Sequence, residues 1–322
     1  MRMRPAAGKR GLLQGRTGMD LETTRACMHA PRSESRSHVH CLPVVYTRAL
    51  RDTFWHGGSF NMKDLTEEKA LEICGRSYEE RGLRKLCSWR KKGRQGEAYV
   101  IPNQKDPGRW RPIAPAWNAP TKEGAKKVAK ALYCMLGCLA RSLHFNVTST
   151  EDAINRLAEW NGRLKQSYGV LVASFDVKSM FAELPHEKIR ESVKWIITMI
   201  QEKGYDQVNV NCRGKRPAMG RKARERHYSV LLKKVREWIE YELGHSFSLA
   251  EGEVIQQMRR IPVGGHTSPA LACILCTWSE AMFIHDIGTD RERILGMRLM
   301  DDVAVFVTFL RKRRTRCVKP VR

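Results

Sequence analysis

Three aspartates have the spacing most suggestive of chemistry. Asp176 closes an apolar run, Gly169–Ala173, extended by Ser174 and Phe175; Asp301 and Asp302 lie between the apolar stretches 294–300 and 303–307. A short apolar run bounded by turn signals reads as a buried strand. A carboxylate at its end costs free energy unless something positive neutralises it. A divalent cation is one candidate, because carboxylate oxygens are the hard ligands that Mg²⁺ prefers. Two apolar strands around Asp301-Asp302 predict a hairpin with carboxylates at its tip.

Two further stretches could bind rather than react. Asp106-Pro107-Gly108 reads as a turn, since Pro presets φ and Gly accepts φ > 0. Its flanks then form a β-hairpin whose tip carries Lys105, Arg109 and Arg111. Cations there could close over a phosphate, although an ordinary solvated turn has the same composition. In Ile261–Leu275, Gly264 and Gly265 let the backbone approach a flat ligand closely. Thr267 or Ser268 can cap the next helix, with Pro269 at its first position.

The elements that must carry these groups follow from periodicity. Residues 1–60, rich in Arg, Ser, Gly and His, show no sustained period and read as disordered. A helix is expected from Asp64 to Arg76, with Glu67 completing a capping box. Others are expected from Thr121 to Leu143, from Thr150 with Ile154, Leu157, Trp160 and Leu164 inward, from Pro185 to Gln201, and from His227 to Leu243. Residues 203–225 read as a basic interruption, either a nucleic-acid contact or a solvated insertion. Short β-runs follow around Phe247 and Val254. The expected organisation is a basic N-terminal region (1–60), N-terminal helices with the Asp106-Pro107-Gly108 hairpin (61–168), a part carrying the three aspartates and the glycine pair (169–310) and a basic tail (311–322).

Lys plus Arg number 58 against 34 Asp plus Glu, a formal charge of +24 that favours a polyanionic partner, nucleic acid first. The ten cysteines lack disulfide-framework spacing, so a reducing compartment, nuclear or cytoplasmic, is expected rather than secretion. Cys134/Cys138 and Cys273/Cys276 fall on predicted helices at i,i+4 and i,i+3; a same-face metal pair is the sharper reading, small buried thiols the plainer one. Cys27, His29, His38, His40 and Cys41 are too irregular for a zinc site. No run reaches the roughly 18 apolar residues of a membrane span. Residues 1–19 carry five basic residues and no acid, which suits an unstructured leader or, more distantly, a transit peptide.

Taken together, four stretches resemble a reverse transcriptase, nearest in style to Penelope-like and group II intron-like retroelement enzymes. Lys105–Ile113 resembles the fingers hairpin, Phe175-Asp176 through Phe181 motif A, and Pro262–Ala272 motif B. Leu299-Met-Asp-Asp302 resembles the Tyr-x-Asp-Asp box of motif C, with Leu in place of Tyr. The resemblance implies an α+β fold with an antiparallel palm sheet backed by helices, and RNA-directed DNA polymerase activity using an RNA template, a DNA or RNA primer and dNTPs. It implies two Mg²⁺ ions (or Mn²⁺) held by Asp176, Asp301, Asp302 and the Val177 carbonyl. Nucleotide contacts would come from Lys105, Arg109, Arg111, Ser179, Met180, Phe181, Gly264 and Gly265, and template or primer contacts from Ser268 and Pro269. Phe181 resembles the steric gate that clashes with a 2′-hydroxyl, which favours DNA synthesis over an RNA polymerase.

The departures are Val263, where Gln or Met is usual, and Arg260, where a Gly commonly precedes Ile-Pro. Only residues 310–322 follow Phe309, so fingers and palm without a thumb, a fragment, are expected. The rival reading is a retroelement-derived protein that binds nucleic acid through its charge and does not polymerise.

Overall fold

The apolar runs around the aspartates do form strands, and they pair with one another. The computed structural model describes residues 4–5, 42–103, 106–164, 168–177, 180–181, 184–211 and 217–310. Among them, in chain order, lie β1 (Arg4–Pro5), α1 (Pro43–Phe54), β2 (Phe60–Lys63), α2 (Glu67–Glu80), β3 (Tyr99–Asn103), β4 (Asp106–Ile113) and α3 (Lys122–Gly137). Next come α4 (Thr150–Gly162), β5 (Tyr168–Asp176), α5 (His186–Glu202), β6 (Gln207–Asn211), β7 (Ala218–Gly220) and β8 (His227–Leu231). The last are α6 (Leu232–Gly244), β9 (Phe247–Ala250), β10 (Glu253–Gln257), α7 (Ser268–Asp286), β11 (Ile294–Leu299) and β12 (Asp302–Leu310). No described helix is long and apolar enough to cross a membrane.

The chain packs as two units whose segments interleave. One comprises Met1–Gly8, Leu139–Met180 and Cys273–Arg322, the other Lys9–Cys138 and Phe181–Ala272. The division expected at residue 168 therefore does not coincide with a unit boundary.

The first unit is built on an antiparallel sheet of order β1-β5-β12-β11. Trp160 of α4 packs against Phe306 of β12, ring centroids 5.9 Å apart. The expected inward face of α4 holds at Trp160, which is buried, and is corrected at Ile154 and Leu157, which are exposed, Ile154 at 62%, while Arg156 is buried. Arg156 turns inward because it has partners there, the Asp152 carboxylate at 3.4 Å and the Asn146 carbonyl at 2.7 Å. The expectation that β5 is wholly buried is also corrected. It pairs along its length with β12 but with only two residues of β1, and Val170, Leu171 and Val172 are exposed.

In the second unit, α1 packs Ala49, Leu50 and Phe54 against Phe60, Val100 and Ile255. This helix replaces disorder over 43–54 in the reading of residues 1–60, of which 1–3 and 6–41 lie outside the described residues. An apolar i, i+4 pattern too short to stand out in an Arg-rich stretch is stabilised by the strands beneath it. Helix α2 starts at Thr66, whose hydroxyl accepts from the Lys69 amide, not at Asp64. Helix α5 buries Ile189, Val193, Ile196 and Ile200, the face expected. Strands β7, β6 and β8 form a sheet, the first two within the stretch read as a basic interruption. In Gln207-Val-Asn-Val-Asn211 both Val208 and Val210 and the hydrogen-bonded Gln207 and Asn209 are buried, and β8 occupies the expected start of the next helix.

The hairpin β3–β4 exists, with its turn elsewhere. Asn103 pairs with Asp106, and a register shift follows Pro102, so Asp106-Pro107-Gly108 lies in β4 as an irregularity rather than at the tip. Pro has no amide hydrogen for the ladder, and a bulge accommodates it. Lys105, Ser179, the Cys27–Cys41 group and the basic tail fall outside the described residues.

Candidate active site

The register of the first unit's sheet brings the three aspartates together. Asp302 is directly opposite Asp176 across the β12–β5 ladder, and Leu299 opposes Asp302 across β11–β12, which leaves Met300 and Asp301 as the turn. The Val177 amide donates to the Asp301 carbonyl at 2.8 Å, tying the end of β5 to that turn. Directly opposed residues in an antiparallel pair have Cβ atoms about 5 Å apart, and like charges there are destabilising. All three aspartates are exposed. Among the described residues no three His, Cys, Asp or Glu side chains are drawn into a ready-made metal cluster. The convergence is one of backbone register; the carboxylates remain in solvent, where their mutual repulsion is best screened. The donor set fits Mg²⁺, being all oxygen and anionic.

The turn is held from beneath by residues that sequence reasoning missed. Arg298 of β11 is 1% exposed and forms a buried ion pair with Glu280 of α7 through Nε and Oε1. Its Nη2 donates to Thr277 Oγ1 at 3.2 Å, and its Nη1 donates to the Met300 carbonyl at 3.2 Å. Met300 adopts φ +56°, a left-handed conformation that a non-glycine residue holds only when its surroundings require it. Glu280 also accepts from the Phe145 amide at 3.0 Å, while the Arg298 amide donates to the Phe145 carbonyl and the Arg298 carbonyl accepts from the Val147 amide. The available signal was an Arg inside an otherwise apolar strand.

His144 stands beside this network, buried, with Nδ1 unpartnered. Burial, reinforced by the charges of Arg156 and Arg298, pulls its pKa down to about 4. An unfolded His titrates near about 6.5. Between those values the unfolded chain binds a proton that the folded chain resists, so stability is full above about pH 6.5 and declines as the pH falls toward 4, by up to about 3 kcal/mol. Denaturant midpoints at pH 7 and 4.5 should draw closer together in His144→Gln than in the unsubstituted chain.

The second unit holds the other candidates. Arg109 pairs with Asp106 at 3.1 Å and Arg111 donates to Asn103 Oδ1 at 3.2 Å, both exposed along β4. The end of β4 is fastened to the glycine-rich segment, as the Ala114 amide donates to the Val263 carbonyl at 2.8 Å. Gly264 has φ +108°, and a Cβ there would meet the Ala114 carbonyl at 3.0 Å; one on Gly265 would meet Ser268 Oγ at 2.5 Å. Their smallness is thus used against the chain itself. Thr267 donates its hydroxyl hydrogen to the half-buried Glu242 at 2.5 Å. Ser268 is 2% exposed, and Met180 in the first unit is 4% exposed, so neither presents surface for the nucleic-acid or nucleotide contact expected of it. Pro269 and Phe181 are half-buried, and the Phe181 carbonyl accepts from the Ile261 amide at 3.4 Å.

Arg260 has φ +74°, which accounts for the glycine commonly found at its place. Its carbonyl is held by the His186 ring at 2.6 Å. A left-handed non-glycine residue costs about 1–2 kcal/mol, partly offset by the greater freedom glycine gives the unfolded chain. Arg260→Gly is expected to raise stability by about 0.5–1 kcal/mol, read as a higher denaturant midpoint at unchanged slope.

No protein-family model and no curated protein matches the sequence. Solved structures match in fold. Telomerase from Candida tropicalis, apo and truncated from its C-terminal domain, aligns at a TM-score of 0.53 and 13% identity over 81% of this chain and 48% of that one. The same organism's telomerase in complex with the TWJ fragment of telomeric RNA aligns at 0.52 and 14%, over 74% of this chain and 40% of that one. The chain thus spans less than half the length of these neighbours. Its fold is α+β, of the reverse-transcriptase type seen in telomerase. The likeness picks out neither the Penelope-like nor the group II intron-like lineage.

Proposed function

We propose that this chain is an RNA-directed DNA polymerase, or the fingers-and-palm part of one, that extends a primer on an RNA template with dNTPs. The observation that carries this reading is the opposition of Asp176 and Asp302 across one ladder, with Asp301 in the adjoining turn, in a fold of reverse-transcriptase type. Asp176 and Asp301 bind the catalytic cations, Asp302 supports them, and the Val177 carbonyl completes the oxygen set. Bound Mg²⁺ would make a primer 3′-hydroxyl more acidic and so a better nucleophile, and would neutralise charge on the triphosphate. Arg109 and Arg111 of β4 hold the triphosphate by charge-assisted hydrogen bonds, a role that motif style extends to Lys105. Phe181 excludes a 2′-hydroxyl by occupying its space. The charge of +24 supports binding to RNA and DNA phosphates. A retroelement origin, Penelope-like or group II intron-like, rests on motif style.

The same charge favours a second reading, a nucleic-acid-binding protein without polymerase activity. Primer extension on RNA with Mg²⁺ and dNTPs, comparing the unsubstituted chain with Asp176→Ala, separates them. Extension lost in the variant supports the polymerase. No extension by either protein, with equal salt-sensitive RNA binding, supports the binding protein.

A further inference from the structure

The paired cysteines of α3 have a geometry that neither a structural core nor the polymerase reading uses. Cys134 lies in the last full turn of α3 and Cys138 caps it, so the two are one turn apart on one face. Residues four apart on a helix have Cα atoms about 6 Å from each other, inside the span a disulfide bridges. Both are half-buried, and each is the largest influence on the other's titration. Of the other described cysteines, Cys87 is half-buried and has no cysteine within four positions of it, and the remaining three are enclosed. Cys74, Cys273 and Cys276 are buried, and burial raises their thiols, Cys74 and Cys276 to about 12.

Within the pair the two thiols are unequal. The hydrogen bond from Cys134 lowers the Cys138 thiol to about 7 against the opposing effect of burial, with the nearby Lys203 charge helping. The same bond, with burial, raises Cys134, which keeps its proton. A helix C-terminus ordinarily disfavours a thiolate. Here the Lys203 ammonium, at the end of α5, donates to the carbonyl of Cys138 itself and offsets that end charge.

We propose that Cys138 and Cys134 form a peroxide-reactive dithiol, with Cys138 as nucleophile and Cys134 as proton donor and resolving thiol. The Cys138 thiolate attacks one oxygen of a hydroperoxide, the O–O bond breaks, and the leaving oxygen takes up a proton; Cys138 becomes a sulfenic acid. The Cys134 sulfur then gives up its proton and attacks the Cys138 sulfur, and the S–O bond breaks with release of water. Two thiols lose two electrons in all, and the peroxide gains them. The product crosslinks the last turn of α3 immediately before the chain enters Leu139–Met180, the segment carrying Asp176. A bridge within one helical turn is strained, and strained disulfides are the readily reduced, regulatory kind.

The full chain offers a direct test, because trypsin releases both thiols in one fragment, residues 131–141, between Lys130 and Arg141. After hydrogen peroxide that fragment should lose two hydrogen atoms, regain them with dithiothreitol, and react on the order of tenfold faster than Cys276. In Cys134→Ser, dimedone should capture a sulfenic acid at Cys138, whereas in Cys138→Ser residue 134 should stay unmodified. An unchanged fragment, over-oxidation of Cys138 with Cys134 still free, or dimedone capture at Cys134 in Cys138→Ser would each overturn the proposal.

Discussion

Asp176→Ala and Asp301→Asn are each expected to lower primer extension by about a thousandfold or more, some 4 kcal/mol of transition-state stabilisation. Asp302→Asn should cost less, since its neighbour retains the ligand geometry. RNA binding should be untouched in all three, because phosphate contacts come from the Lys and Arg excess, and its salt dependence should keep the same slope. Stability should move oppositely to activity. Asp302 faces Asp176 directly, and removing one of two opposed like charges relieves repulsion worth a few tenths to about 1 kcal/mol. Without divalent cations Asp302→Asn should therefore melt slightly higher than the unsubstituted chain. Mg²⁺ should raise the melting temperature of the unsubstituted chain and leave Asp176→Ala unmoved, as a ligand bound only to the folded state stabilises by mass action. A magnesium response equal in both proteins would remove Asp176 from the cation site, whatever the extension assay returned.

The aspartates were legible because their signal is local: apolar runs ending in acid, with a two-strand pattern around Asp301-Asp302. The pairing of β5 with β12 joins residues more than a hundred positions apart, and only the four-motif order hinted at it. Other features were hidden for separate physical reasons. β6 was hidden because half of what it buries is polar, Gln207 and Asn209 beside Val208 and Val210, in a stretch flanked by basic residues. On α4 the hydrophobic pattern pointed Ile154 inward, but the ion pair with Asp152 and the Asn146 carbonyl made Arg156 the residue to bury. The Pro-Gly signal in β4 marked a real irregularity of the backbone, but a bulge and a turn share the same residues. Gly264 and Gly265 were correctly singled out as close-approach positions, and what approaches them is the chain's own Ala114 and Ser268.

Arg298→Ala is expected to be the most damaging substitution that touches none of the proposed ligands. It would leave the Glu280 carboxylate buried without its cation, at a cost of about 3–5 kcal/mol, a large share of the roughly 5–15 kcal/mol by which domains are stable. Loss of activity in that variant would say only that the protein unfolds. Changing both partners is more informative. Arg298→Met with Glu280→Gln fills similar volume, removes both charges, and leaves an amide oxygen to accept from the Phe145 amide, which Glu280 now does at 3.0 Å. Replacing a buried ion pair by groups of similar volume is often neutral, so the double variant should recover most of the lost stability, with a coupling energy of about 2–3 kcal/mol in the double-mutant cycle. It would still lack the Nη1 donor to the Met300 carbonyl, and with it the clamp on a left-handed residue directly before Asp301. Primer extension should therefore stay depressed by about tenfold or more while the melting temperature is near that of the unsubstituted chain, since misplacing a reactive group by a fraction of an ångström is enough for that. Recovery of both together would reduce Arg298 to a structural ion pair. Recovery of stability alone would make it the residue that aims the turn.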